Sequence, residues 1–269
     1  MTRTMRTTRT ALVTATLAGT LWGLSQGFLA AAQLPASAAT AQPAGSEDSA
    51  VQARLDKKQF SNVKVSVDQG TATLTGTVDL YAFKADADKR VRKAKGVTAV
   101  RDLIQVAGPA IPDQELWGKL VDKLAYDRVF YGNAFNAITV SVENGAVTLG
   151  GHAISYNARD SALVLASYYP GVKDVADEIK VDPVSMFDNR IRMQAFRAIY
   201  GYPTLNRYAM DPAKPIRISV QNGHVELYGM VDSQADKDTA FIRANGVFGV
   251  FDVKNYLQVA NPPAPKQKK

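Results

Sequence analysis

The chain has 269 residues, 46% of them apolar and 21% charged, with no cysteine and two histidines in the whole sequence. Lacking cysteine, it is expected to form no disulfide, no thiolate metal site and no lipid-modified cysteine anchor. The formal charge of +7 includes Arg3, Arg6 and Arg9, and removing those three takes +7 to +4, too modest to point to nucleic acid as a partner.

Residues 1–32 read as a secretory signal peptide. Three arginines precede an apolar run from Ala11 to Ala32 that contains no acid. Cleavage fits after Ala32 or after Ala38. A retained anchor is the rival reading, and the Thr, Ser, Gln and Gly content of the run argues against it. Residues 33–48 are small and polar and predict a flexible linker. Residues 261–269, NPPAPKQKK, predict a Pro/Lys-rich tail that cannot order itself.

Between these ends the chain repeats itself. Residues 49–108 form the first unit: a helix over SAVQARLDKKQF, a hairpin in VSVDQGTATLTGTV, a second helix carrying KADADKRVRKAKG, and a closing strand in GVTAVRDLIQV. Residues 113–183 form the second. Asp113 is a candidate N-cap, and Leu116, Leu120, Val121 and Leu124 recur at helical spacing. The hairpin VSVENGAVTLGGHA, the helix NARDSALVLASYYPG and the strand GVKDVADEIKV follow. Residues 188–260 form the third, with a helix over NRIRMQAFRAIYG, an insertion at about 201–215, the hairpin ISVQNGHVELYGMV and the strand GVFDVKNYLQV.

The three copies align without a gap from the hairpin onward. Asn144-Gly145 and Asn222-Gly223 stand between runs of period two, the signature of a type I′ turn, and Gln69-Gly70 is a weaker version. Gly76, Gly151 and Gly229 end the second strand or permit a bulge, and Gly96, Gly171 and Gly249 open the closing run. The expected fold is α+β: three tandem αββαβ units, each a small mixed sheet with two helices packed on one face. Because VENGAVTLGG joins two strands rather than a strand to a helix, it is a turn and not a phosphate loop.

These paired signatures resemble the BON domain, a bacterial module of osmotically induced periplasmic and nodulation proteins. The resemblance implies an exported, periplasmic, non-enzymatic module without cofactor or metal. It also implies a role in envelope integrity or stress tolerance and binding to a membrane surface, in particular anionic phospholipid. The alternative is a periplasmic scaffold that binds a protein or a cell-wall polymer. The chain departs from the family in lacking a cysteine for a lipid anchor and in its third-unit insertion.

Candidate site residues follow. His152 and His224 occupy different columns of the repeat and read as surface histidines on strands, not as a catalytic or metal pair. Asp174, Asp177, Asp232, Asp236 and Asp238 fall in turns and at helix starts, where Asp supplies caps. Lys84, Lys89, Arg90, Arg92, Lys93 and Lys95 crowd one short stretch and are the candidate lipid-headgroup contacts, with Trp117 as a candidate interfacial aromatic. Two aromatic clusters, one of Tyr126, Phe130, Tyr131 and Phe135 and the other of Phe196, Tyr200, Tyr202 and Tyr208, suit packing between units.

Overall fold

A computed structural model describes residues 44–126, 133–211 and 214–260. The signal-peptide and tail assignments, and those for Phe130 and Tyr131, lie outside the described residues. The first unit comprises α1 (Ala44–Gln52), two single 3-10 turns (Ala53–Leu55 and Lys58–Phe60), β1 (Val63–Asp68), β2 (Thr71–Val78), α2 (Tyr81–Val91), β3 (Ala99–Asp102) and β4 (Gln105–Val106). The second comprises α3 (Asp113–Tyr126), a 3-10 turn (Asn133–Phe135), β5 (Ala137–Glu143), β6 (Ala146–Ala153), α4 (Tyr156–Ser167), β7 (Asp174–Asp177) and β8 (Lys180–Val181). The third comprises α5 (Met186–Tyr200), a 3-10 turn (Asn206–Ala209), β9 (Arg217–Gln221), β10 (His224–Tyr228), β11 (Met230–Val231), α6 (Gln234–Asn245), β12 (Asp252–Asn255) and β13 (Gln258–Val259).

The fold is the expected α+β arrangement of small mixed sheets. In each unit the hairpin strands pair antiparallel and the closing strand adds parallel to the second of them, giving β1-β2-β3, β5-β6-β7 and β9-β10-β12. The closing strand is broken by a small turn at one column. Asp102, Asp177 and Asn255 each accept the N–H two residues on, at 2.9, 3.1 and 3.2 Å. The chain then resumes as β4, β8 or β13. That break turns Ile104, Ile179 and Leu257 into the core.

Two backbone demands explain the repeated sequence. Gln69, Asn144 and Asn222, with the glycines after them, hold the positive φ of a type I′ turn. One turn of sheet later, a Cβ on Gly151 would lie 2.0 Å from the Ala137 carbonyl oxygen, and one on Gly76 would lie 1.9 Å from that of Asn62. A side chain there would push the two hairpin strands apart. Ala87, Ala162 and Ala240, all with no exposed surface, mark where the second helix crosses the sheet most closely. Each unit has its own apolar core, centred on Leu74, Leu149 and Leu227.

Several expectations need correction. The first helix, expected over 49–60 after a linker reaching 48, begins at Ala44 and ends at Gln52. It is tied to the outer strand from its first turns: Asp48 accepts the Val67 N–H at 2.6 Å and Gln52 bonds both Val63 and Val65. The basic helix stops at Val91, so Arg92, Lys93 and Lys95 lie in the turns after it. Asp113 opens α3 but is not its cap: its carboxylate accepts the Asn144 and Gly145 N–H groups of the hairpin turn at 2.6 and 2.9 Å. Asp188 makes the same contacts in the third unit, to Asn222 and Gly223 at 3.0 and 2.9 Å. α5 begins at Met186 instead of Asn189, with Ser185 as N-cap accepting the Asp188 N–H. The segment 201–215 is hardly an insertion relative to the second unit, since Asp188 to Ile218 spans 30 positions and Asp113 to Val140 spans 27. Its Leu205 and Tyr208 are part of the third core.

The second unit has both sheet edges covered. On the β7 side, α2 of the first unit brings the Tyr81 hydroxyl to 3.5 Å from the Val175 carbonyl and Phe83 edge-on to Tyr168. On the opposite side β5 lies beside β9, and Phe135 packs on Phe196 with ring centroids 5.6 Å apart.

Candidate functional site

Of the six cations expected to meet lipid, two are already engaged within their own stretch. Arg90 Nε donates to Asp86 at 2.8 Å while its guanidinium covers the Phe60 ring, and Arg92 donates twice to Asp88, at 2.6 and 2.9 Å. Both are i,i+4 pairs, worth a few tenths of a kcal/mol at an exposed surface. Lys84 is half-buried. Lys89, Lys93 and Lys95 are exposed, and none of them pairs with a carboxylate among the described residues. Arg54, which lies outside the basic run of the sequence, joins Lys89, Arg90 and Lys93 around a hollow of about 260 Å³ whose one acidic side chain is Asp86. Four cations against one acid leave this hollow strongly positive. Arg54 joins the other three by arriving beside the helix end as the chain leaves α1.

Trp117 sits elsewhere, on α3 of the second unit. It is half-exposed, and its indole N–H donates to the Val140 carbonyl at 3.0 Å. That bond has counterparts in the other units: Gln52 Nε2 to Val63 O at 3.1 Å, and Arg192 Nη2 to Val220 O at 3.0 Å. In each case the first helix reaches over the outer strand and satisfies a carbonyl that no neighbouring strand meets. Trp117 is therefore an edge clasp, and the structure does not bring it together with the basic stretch of the first unit by any hydrogen bond or ring contact among the described residues.

The two histidines, kept apart by sequence, line one cleft of about 310 Å³ where the second and third units meet, together with Lys180, Gln221, Glu226 and Lys254. His152 Nδ1 lies 3.1 Å from Asp182 Oδ1, and its Nε2 lies 3.7 Å from Glu226. Asp182 also accepts from Gln221 at 2.8 Å, from Ser219 and from Arg192 at 3.3 Å. Burial would push the Asp182 carboxyl up, but hydrogen bonds from His152 and Gln221 and the charges of His152 and Arg192 outweigh it and hold it below the usual range. His224 pairs with Asp252 at the exposed rim.

Serine, histidine and aspartate meet here in the wrong order for nucleophilic attack. Ser219 donates to Asp182 rather than to His152, and it is buried, so the imidazole is not placed to take its proton. Among the described residues no three His, Asp or Glu side chains form a group that could hold a metal ion. The cleft acts as a polar joint: it fixes the linker residue Asp182 between two units.

The remaining acids are also structural. Asp177 makes the strand break described above, and Asp174 accepts the Val175 N–H. Asp236 joins Ser233 in a reciprocal cap and accepts from Arg207 and Tyr208 at 2.6 and 3.0 Å, while Asp232 pairs with Arg207 and Asp238 with Gln234. Of the aromatics, Phe135, Phe196, Tyr200 and Tyr208 pack within and between units. Tyr200 donates to Ile216 O at 2.7 Å, and burial pushes its hydroxyl well above the ordinary range.

Comparison with known proteins identifies the repeated unit. The family described as BON domain matches residues 48–108, 112–183 and 204–261. Osmotically-inducible protein Y of Escherichia coli (strain K12) is 29% identical over 124 residues, a match that spans 45% of this chain and 61% of that protein. Two solved structures of CdsD, described as a structural protein of the type III secretion system of Chlamydia trachomatis, align at 16% identity. They cover 79% and 80% of this chain and 96% and 92% of theirs, with TM-scores of 0.24, too low to carry an argument.

Proposed function

The chain belongs to the BON domain family, and from that premise we propose that it is an exported, non-enzymatic protein of the bacterial envelope. In this reading it binds anionic phospholipid surfaces in the periplasm and supports tolerance of osmotic or envelope stress. The family membership and the name of the Escherichia coli relative, osmotically-inducible protein Y, support the envelope and osmotic part of the reading. The observation that carries the lipid part is the hollow ringed by Arg54, Lys89, Arg90 and Lys93. Each cation near an anionic leaflet contributes about 1 kcal/mol and acts within a Debye length, ~10 Å at 0.1 M salt. Arg54, Lys89 and Lys93 would together contribute about 3 kcal/mol, roughly a hundredfold in partitioning.

The experiment is cosedimentation with vesicles of phosphatidylglycerol and phosphatidylcholine, or of phosphatidylcholine alone. Binding is expected only with the anionic lipid, weakening as salt rises, and the variant R54E/K89E/K93E is expected to lose it. Arg90→Gln, which removes a cation already paired, is expected to have the smaller effect. Equal binding to both vesicles, or retention of binding by the triple variant, would remove the proposed site. Retention only by envelope extract would favour a protein or cell-wall polymer as the partner instead.

A further inference from the structure

We propose that the outer edge of the third unit is a self-association surface, at which two copies of this chain pair strand β12 with strand β12. The starting point is a difference between equivalent edges. In the second unit the closing strand β7 faces the first unit, and the turn before it is covered as well: a Cβ on Gly171 would lie 2.9 Å from Ile111 and 3.2 Å from the Pro109 carbonyl. The third unit meets its neighbour through β9 instead, so the corresponding strand, β12, stands at the outside of its sheet.

That edge carries more apolar surface than its counterparts. Phe248 is 88% exposed, Phe251 71% and Ile242 64%, with Phe187 half-exposed beside them. Phe251 occupies the column of Lys173 and Thr98, and Phe248 that of Pro170 and Lys95. Two of the rings, Phe187 and Phe251, flank neighbouring glycines. A Cβ on Gly249 would lie 3.1 Å from the Phe187 ring, one on Gly223 would lie 2.6 Å from the Phe251 ring, and the latter would also lie 3.1 Å from the Gly249 carbonyl. A patch of this kind, rimmed by polar groups, marks a contact surface.

The charge pattern of the strand identifies the occupant. β12 reads Asp252-Val253-Lys254-Asn255. Antiparallel pairing about a two-fold axis at Val253 sets Asp252 of each copy opposite Lys254 of the other, twice over, on the same face of the ribbon. The side chains stand ready for it: Asp252 and Lys254 are both about half-exposed, anchored lightly by His224 and Glu226 on β10. Phe248 and Phe251 then lie at the two ends of the new pairing and cover it. The first unit's outer strand β3, Ala99-Val100-Arg101-Asp102, has neither the self-complementary charges nor the aromatic flank.

Sedimentation equilibrium of the full chain from micromolar to near-millimolar concentration tests this. A monomer–dimer equilibrium is expected. Lys254→Asp alone and Asp252→Lys alone each set like charges opposite one another, and each is expected to weaken self-association by about tenfold or more. An equimolar mixture of the two variants is expected to recover the dimer, because a strand acidic at both positions then faces a strand basic at both. That recovery separates pairing from misfolding, as does F248D/F251D, expected to be monomeric with an unchanged unfolding midpoint. A chain that stays monomeric at every concentration overturns the proposal, as does a dimer indifferent to both charge reversals. A monomer that loses vesicle binding in F248D/F251D would assign the patch to the bilayer and equally overturn it.

Discussion

Asp182 and Arg192 meet at 3.3 Å at the junction of the second and third units, with side chains 1% and 3% exposed. The guanidinium also donates to Val220 O and to Asn189, while its Nε has no hydrogen-bond partner among the described residues. Removing the carboxylate strands a buried charge that is already incompletely satisfied. Asp182→Ala is expected to cost about 3–5 kcal/mol, read as a lower urea midpoint for the chain, with amide exchange at Ser219 and Val220 accelerated first. Asp182→Asn keeps an acceptor and is expected to cost less.

The same carboxylate sets an acid limit. Its folded pKa lies below the ordinary value, so its contribution is fully present above the unfolded pKa of about 3.9 and is lost as pH falls through the lower folded value. Stability measured by urea unfolding between pH 6 and about 3 should decline more steeply below pH ~4 in the native chain than in Asp182→Asn. Parallel slopes would show that Asp182 contributes nothing to acid unfolding.

Two glycines in the second unit should respond to alanine with opposite signs. Gly151 has φ +80°, and a Cβ there meets backbone at 2.0 Å, so Gly151→Ala is expected to destabilise by about 3 kcal/mol or more. Gly118 lies within α3 with open space around it, so Gly118→Ala is expected to stabilise by about 0.5–1 kcal/mol. Thermal unfolding of the two variants side by side checks both signs.

The acids that hold the hairpin turns should differ by burial. Asp188 is buried and Asp113 half-exposed, although each accepts two turn N–H groups. Asp188→Ala leaves the buried Gly223 N–H and the partly buried Asn222 N–H unmet and is expected to cost about 2–3 kcal/mol, whereas water can replace Asp113, and Asp113→Ala should cost about 1 kcal/mol. Urea unfolding of the two variants measures the difference.

The fold was legible because its repeated demands fall on residue types with few substitutes. Positive φ at the hairpin turn selects Asn-Gly, and the close approach at Ala137 selects glycine at 151. The start of α5 was also encoded, though less plainly: Ser185 and Asp188, like Ser233 and Asp236, have the spacing of a cap and its partner. The basic stretch was legible only as composition. Asp86 and Asp88, four residues before Arg90 and Arg92, announce the pairing that occupies those arginines. The joint at His152 was hidden, because Asp182 and Gln221 lie 30 and 69 residues away and reach it only through the way the second and third units stack. No local period encodes that.

The outer strand of each unit leaves carbonyls to be met, and an amide from Gln52, an indole from Trp117 and a guanidinium from Arg192 each meet one, at Val63, Val140 and Val220, three different columns of the repeat. What recurs along the chain is thus the position of a donor rather than its chemistry. That position can change its residue without disturbing the sheet beneath it. Each module can therefore carry a neutral, an aromatic or a cationic donor on the same frame: Trp117 keeps an exposed aromatic face, whereas the Arg192 charge is buried at the junction with the second unit, where it meets Asp182.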